Sequence, residues 1–149
     1  MKGELPRITH QRLKNMPQFT TLIVEDSEEY RDFLLLTLKE KTQCQVIAQA
    51  SDGLEAIQKA EEFQPDLILL DLGLPKLNGM DAARRIRKTA PNSRILFVSQ
   101  DQSTEIVQAA LQVGAVGYLL KSDVLELPAA VDTVMQGKQF VSSRFEHSI

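Results

Sequence analysis

Residues 67–71 read Leu-Ile-Leu-Leu-Asp. Four large apolar residues in succession leave no polar face, so the segment fits a strand covered on both sides. Such strands belong to parallel sheets sandwiched between layers of helices. The carboxylate of Asp71 follows at once, at the rim of a dry core where an unpaired charge is costly. Outward from this stretch the pattern repeats. Apolar runs of strand length at 20–24 (TTLIV), 45–50 (QVIAQA), 94–98 (RILFV) and 117–120 (GYLL) alternate with segments of helical spacing.

The intervening segments predict five helices. The first follows Ser27, capped by Asp26 or Ser27, with Tyr30, Phe33, Leu34 and Leu38 on one face. The second follows Asp52, where Leu54, Ile57, Ala60 and Phe63 recur at three-residue steps. The third begins near Gly79 and buries Ala83 and Ile86; the fourth begins near Ser103 and buries Ile106, Val107, Ala110 and Leu111, with Gly114 as its stop. The fifth carries Pro128 near its start, where the missing N–H has no helical partner, ends near Gly137, and turns Leu127, Val131 and Val134 inward. Five βα units with right-handed crossovers predict a doubly wound α/β domain, five parallel strands and five flanking helices, with its ligand site at the carboxyl ends of the central strands.

Composition bounds the function. The chain has 149 residues, 43% of them apolar, which suits one domain with its own core. Four bases but one acid fall in residues 1–18, which lack periodicity and read as an extension; the remainder is distinctly acidic. The net charge of -3 gives no basic field for nucleic acid, so direct nucleic-acid binding is not expected. No run approaches the roughly 20 apolar residues of a membrane span, and the first residues hold no apolar core of the kind a secretory signal requires. The single cysteine, Cys44, excludes an internal disulfide and suits a reducing, cytoplasmic compartment.

Chemistry-bearing residues sit where the expected strands end: Glu25 and Asp26 after the first, Asp71 after the third, Ser99 after the fourth and Lys121 after the fifth. Each alone has a plainer reading. Acids before a helix act as caps, a serine at a strand end makes a turn, and a lysine is usually a solvated surface base. Those readings do not predict all four strand ends being occupied together. Three carboxylates, a hydroxyl and an ammonium in one cleft fit phosphoryl transfer to a carboxylate nucleophile. Mg²⁺ takes one or two carboxylates and a phosphate oxygen, so Asp26 and Asp71 are its expected direct ligands and Glu25 holds a metal-bound water. Lys121 and the Ser99 hydroxyl supply the remaining positive charge and hydrogen bonding.

With these residues in place, the chain resembles the receiver domain of bacterial response regulators, in the nitrate-regulator-like branch that carries a helix-turn-helix effector. The resemblance spans about residues 20–142 and rests on LIVED, LILLDLGLPKLNGMD, FVS, GYLLKSD and AVDTVMQGKQFVS. It implies a flavodoxin-like strand order 2-1-3-4-5, a receiver domain over 19–142 and a tail or linker start over 143–149. It further implies Asp71 as phospho-acceptor, Glu25 and Asp26 as the acidic pair, Gly73 as a carbonyl ligand to Mg²⁺, Ser99 as switch hydroxyl, Lys121 as the site lysine and Tyr118 as aromatic switch; as an aromatic on a strand, Tyr118 is expected half-buried at rest. Pro75 and Gly79 match the loop after the acceptor. The implied partner is a sensor histidine kinase, and a homodimer is compatible with the resemblance.

Such a protein is a switch that assists its own phosphorylation and dephosphorylation without being a turnover enzyme. Three departures stand out. The acidic pair is Glu-Asp instead of Asp-Asp, Gln100 is bulkier than the usual residue beside the switch hydroxyl, and Ser122 replaces a proline after Lys121, which favours a trans bond. Two other readings compete. The chain could be the receiver half of a longer DNA-binding regulator, or an aspartate-nucleophile phosphohydrolase. For the latter, Gly73 stands where the second acid is needed.

Overall fold

The computed structural model describes residues 17–149; the basic extension expected over 1–18 therefore lies almost wholly outside the described residues. Its strands are β1 (Phe19–Val24), β2 (Cys44–Ala50), β3 (Leu67–Leu70), β4 (Arg94–Ser99), β5 (Gly117–Leu120) and β6 (Phe140–Val141). Its α-helices are α1 (Glu28–Lys41), α2 (Gly53–Phe63), α3 (Gly79–Thr89), α4 (Thr104–Gln112) and α5 (Leu127–Met135), with 3₁₀ turns at Lys121–Glu126 and Ser143–Phe145. All strand pairs are parallel and run in the order β2-β1-β3-β4-β5-β6.

Among the described residues the sheet has six strands, where five were expected. The sixth is two residues long and pairs Phe140 with Gly117 and Val141 with Tyr118. Two residues carry no periodicity, so only the pairing itself reveals the strand.

The apolar run at 67–70 is explained by period-two alternation between two cores. Ile68 and Leu70 face a layer built by α2, α3 and α4, including Ala56, Ala83, Ile86 and Val107. Leu67 and Leu69 face the opposite layer, where Leu34 and Leu38 of α1 meet Leu127, Val131 and Val134 of α5. Every residue of β3 is therefore buried, as in a strand covered on both faces.

Helix starts follow their caps. Ser27, Asp52, Asn78 and Ser103 each accept a hydrogen bond from the backbone N–H three residues on. Gly114, at φ +107°, ends the turn after α4. Two expected helix faces need correction. Phe33 is 43% exposed, and on α2 Leu54 and Phe63 are 50% and 42% exposed. A three-residue step falls short of a full 3.6-residue turn, so Leu54 and Phe63 rotate off the face that Gly53, Ala56 and Ala60 bury.

Asp52 links cap geometry to pH. Its carboxylate accepts the Glu55 N–H at 2.8 Å. That bond, and secondarily Lys76 at 3.5 Å, hold its pKa below the ordinary 3.8 against the effect of burial. A lowered folded-state pKa means stability present above the unfolded value and lost as pH falls through the folded one. Asp52→Ala should cost about 1 kcal/mol at neutral pH. In urea titrations the gap to the natural chain should narrow below pH 3.8; a gap unchanged in acid contradicts the assignment.

Candidate functional site

Parallel strands end at one edge, so the register decides what meets there. Val24 pairs with Leu70, Leu70 with Phe97, and Ser99 with Leu120. The next residues, Glu25 and Asp26, Asp71 and Lys121, together with Ser99, therefore line a single cleft of about 680 Å³. One carboxylate oxygen from each of Glu25, Asp26 and Asp71 lies within 4.8 Å of the others. Asp26 is exposed, whereas Glu25 and Asp71 are 1% and 7% exposed. Three oxygen donors so disposed, one facing solvent, fit a hard divalent cation that keeps some of its waters.

The charges are interlocked. The Lys121 ammonium lies 2.6 Å from Glu25 Oε1 and 3.3 Å from Asp71 Oδ2. Glu25 also accepts the Ser27 N–H at 3.0 Å, and its backbone carbonyl accepts from Arg31 at 2.8 Å. Burial pushes the Glu25 carboxyl above its ordinary range; Lys121 and the Ser27 N–H oppose this, and the Asp71 charge adds to it. Burial alone would lower the Lys121 pKa, but the two carboxylates outweigh it and hold the ammonium above its ordinary range. The lysine stays charged at neutral pH and is the counterion to a buried acid. Asp71 Oδ1 accepts the Gly73 N–H at 3.3 Å, which ties the loop after β3 to the carboxylate.

At the opposite wall Ser99 Oγ accepts the Asp101 N–H at 3.1 Å. Tyr118 is fully buried, not half-buried as expected at rest. Its hydroxyl donates to the Asp101 carbonyl at 2.8 Å, and its ring is held between Phe97 at 6.2 Å and Phe145 at 6.1 Å, the latter edge-on. Burial, above all, pushes its pKa up to about 12, so the phenol remains a donor. Phe145 comes from the tail. That segment packs onto the domain: Ser142 is fully buried and accepts the Leu120 N–H at 2.8 Å, and Phe145 is 3% exposed. Gln100 lies exposed at the cleft mouth.

The structure thus brings together Glu25, Asp26, Asp71, Gly73, Ser99 and Lys121 along one cleft, with Tyr118 buried behind it. Sequence reasoning did not single out Arg31, Ser142 or Phe145. Comparison with known proteins decides the family. The model for the response regulator receiver domain matches residues 21–132.

This chain belongs to the response regulator receiver domain family.

A LuxR-family two-component response regulator from Aurantimonas sp. SI85-9A1 superposes on this receiver domain with a TM-score of 0.81 at 30% identity, covering 85% of this chain and 91% of that one. The transcriptional regulatory protein DegU of Brevibacillus brevis is 31% identical over 91% of this chain and 58% of its own length. The nitrate/nitrite response regulator protein NarL of Escherichia coli (strain K12) is 35% identical over 73% of this chain and 50% of its own. These relatives support the nitrate-regulator-like branch, and the chain spans only about half to three fifths of their length. As a receiver domain it is a phospho-accepting signalling switch of two-component systems. Among the described residues no helix is long and apolar enough to cross a membrane.

Proposed function

We propose that Asp71 is the phospho-acceptor of this receiver, loaded by a sensor histidine kinase with Mg²⁺ as cofactor. The observation that carries the reading is the convergence of three carboxylates within 4.8 Å, with the Lys121 ammonium 3.3 Å from Asp71. Asp26 and Asp71 would hold the ion directly, the Gly73 carbonyl would complete the protein ligands, and Glu25 would reach it through water. When bound, Mg²⁺ neutralises charge where the phosphoryl oxygens and the acceptor carboxylate meet.

Asp71 then attacks phosphorus in line. The Asp71 O–P bond forms as the bond from phosphorus to the donor imidazole breaks, and the leaving nitrogen keeps the electron pair. Lys121 exchanges contact with the carboxylates for contact with a phosphoryl oxygen, and the Ser99 hydroxyl donates to another. The same groups assist hydrolysis, which resets the switch. Turnover phosphohydrolase chemistry is disfavoured, since Gly73 offers no carboxylate to protonate a leaving group.

Added charge at Asp71 draws Ser99 toward it, and Tyr118 with the Asp101 segment responds as a population shift. The similarity to LuxR-type regulators supports a place ahead of a DNA-binding effector in a cytoplasmic transcription regulator, the receiver itself contacting no DNA and serving as a homodimer interface.

The test is intact mass after incubation with acetyl phosphate and Mg²⁺, followed by borohydride reduction and peptide mapping. The expected result is a gain of one phosphoryl group, mapped to Asp71 and abolished by chelation. No gain, or a gain mapped to another residue, refutes the assignment.

A further inference from the structure

Lys121 is gripped from two directions, and only one of them is acidic. Its ammonium faces Glu25 and Asp71 on one side; on another it lies over the ring of Tyr30, 4.7 Å from the centroid. The Tyr30 hydroxyl also donates to the backbone carbonyl of Lys121 at 3.4 Å. Tyr30 therefore touches both ends of this lysine, across 91 positions of sequence. Arg31, the next residue, bonds the Glu25 carbonyl and fixes the first turn of α1 against the end of β1. The turn fixes where the Tyr30 side chain starts, and the bond to the Lys121 carbonyl and the packing beside Phe33 hold its ring.

We propose that Tyr30 is a positioning residue for phosphoryl transfer, holding the Lys121 ammonium within reach of Asp71. The inference rests on Asp71 being the acceptor. Glu25 lies nearer to Lys121 than Asp71 does, 2.6 against 3.3 Å, so the resting ammonium is biased toward the acid that does not accept the phosphoryl group. To serve Asp71 the ammonium must shift by a small distance and stay in the cleft. An aromatic face attracts a cation without occupying a particular N–H, so all three donors remain free for oxygen acceptors along that path. An aliphatic side chain of similar size fills the space yet gives no such attraction. The backbone after Lys121 also lacks a restraining ring, because Ser122 stands there, and the Tyr30 hydroxyl supplies a tether at that carbonyl.

Tyr30 also packs beside Phe33, with ring centroids 5.9 Å apart, and against the core under α1. Leucine keeps much of the apolar packing while removing the ring, and phenylalanine keeps the ring, which makes the two roles separable. The experiment compares Tyr30→Phe, which keeps the ring, and Tyr30→Leu, which keeps apolar bulk, with the natural chain. Phosphorylation by acetyl phosphate and Mg²⁺ should slow about tenfold in Tyr30→Leu and less than threefold in Tyr30→Phe. A second readout needs neither phosphate nor metal. Trace acetylation by acetic anhydride, read by peptide mass spectrometry against exposed Lys138, should rise about threefold at Lys121 in Tyr30→Leu only. Equal labelling of Lys121 in all three chains, or an equal rate loss in the phenylalanine and leucine variants, overturns the proposal. If the natural chain takes no phosphate at Asp71, the acceptor assignment fails, while the labelling still decides whether Tyr30 holds Lys121.

Discussion

The Asp71→Asn chain is expected to take up no phosphoryl group from acetyl phosphate under conditions in which the natural chain is fully modified. Asparagine has nearly the shape of aspartate, so the loop after β3 keeps its contacts. It lacks the anionic oxygen that must form the new bond, and a neutral amide is no substitute nucleophile. The fold survives because Lys121 keeps its shorter partner, Glu25, at 2.6 Å. Removing one of two neighbouring carboxylates also relieves the repulsion that helps to push the Glu25 pKa up. Unfolding free energies of variant and natural chain from urea titration should therefore agree to within about 1 kcal/mol, so that lost modification cannot be ascribed to lost structure. Lys121→Ala is a poorer probe. It strands a carboxylate that is 1% exposed, and breaking a buried ion pair from one side costs about 3 kcal/mol or more. An Asp71→Asn chain that still gains a phosphoryl group, at whatever position, shows that a second acceptor exists and that the mass gain of the natural chain does not report on this cleft alone.

That test could be planned from sequence because the site obeys a rule of local position. Residues following a buried strand sit at its carboxyl end, and parallel strands share that end, so Glu25, Asp26, Asp71, Ser99 and Lys121 could be gathered without knowing any distance. The strands themselves were legible because each combines length, apolar density and flanking polar residues. What escaped was whatever depends on contacts between distant segments. β6 exists only by pairing with β5, so Phe140 and Val141 carry no signal of their own. Tyr30 reads as one more apolar position on α1, since its bond to the Lys121 carbonyl spans 91 residues. Tyr118 looked half-buried because a strand aromatic beside a polar cleft normally is; the covering ring, Phe145, arrives from a tail whose docking is set by Ser142. Errors on the helix faces have a different origin. Leu54 and Phe63 fit a three-residue step, but the actual core face of α2 is made of Gly53, Ala56 and Ala60, residues too small to stand out in a hydrophobic pattern.

Small residues lead to the largest structural effect expected here, that of Gly79→Ala. Gly79 opens α3, and its N–H donates to the Leu72 carbonyl at 2.8 Å. A Cβ at this position would lie 2.1 Å from the carbonyl oxygen of Asp71 and 2.8 Å from the Cα of Leu72. Both neighbours are backbone, so no side chain can rotate away, and either the helix start or the acceptor's own peptide must move. Gly53, at the start of α2, meets the same loop from the other side, its Cβ falling 2.0 Å from the Leu77 carbonyl oxygen. Residues 72–78 are thereby clamped between two helix starts that approach as closely as only glycine allows. Gly79→Ala should lower stability by about 3 kcal/mol, and phosphorylation of the folded fraction should slow, because the displaced atom belongs to Asp71 itself. Gly53→Ala should cost a similar amount. The double variant should lose less than the two together, since relaxing one side of the clamp relieves the other. Gly73 supplies the contrast: a Cβ there meets nothing within 4 Å, so Gly73→Ala should stay within about 0.5 kcal/mol of the natural chain. Equal losses at Gly73 and Gly79 in urea titrations would mean that backbone freedom, not the close approach of α3 to the acceptor loop, is what these positions require.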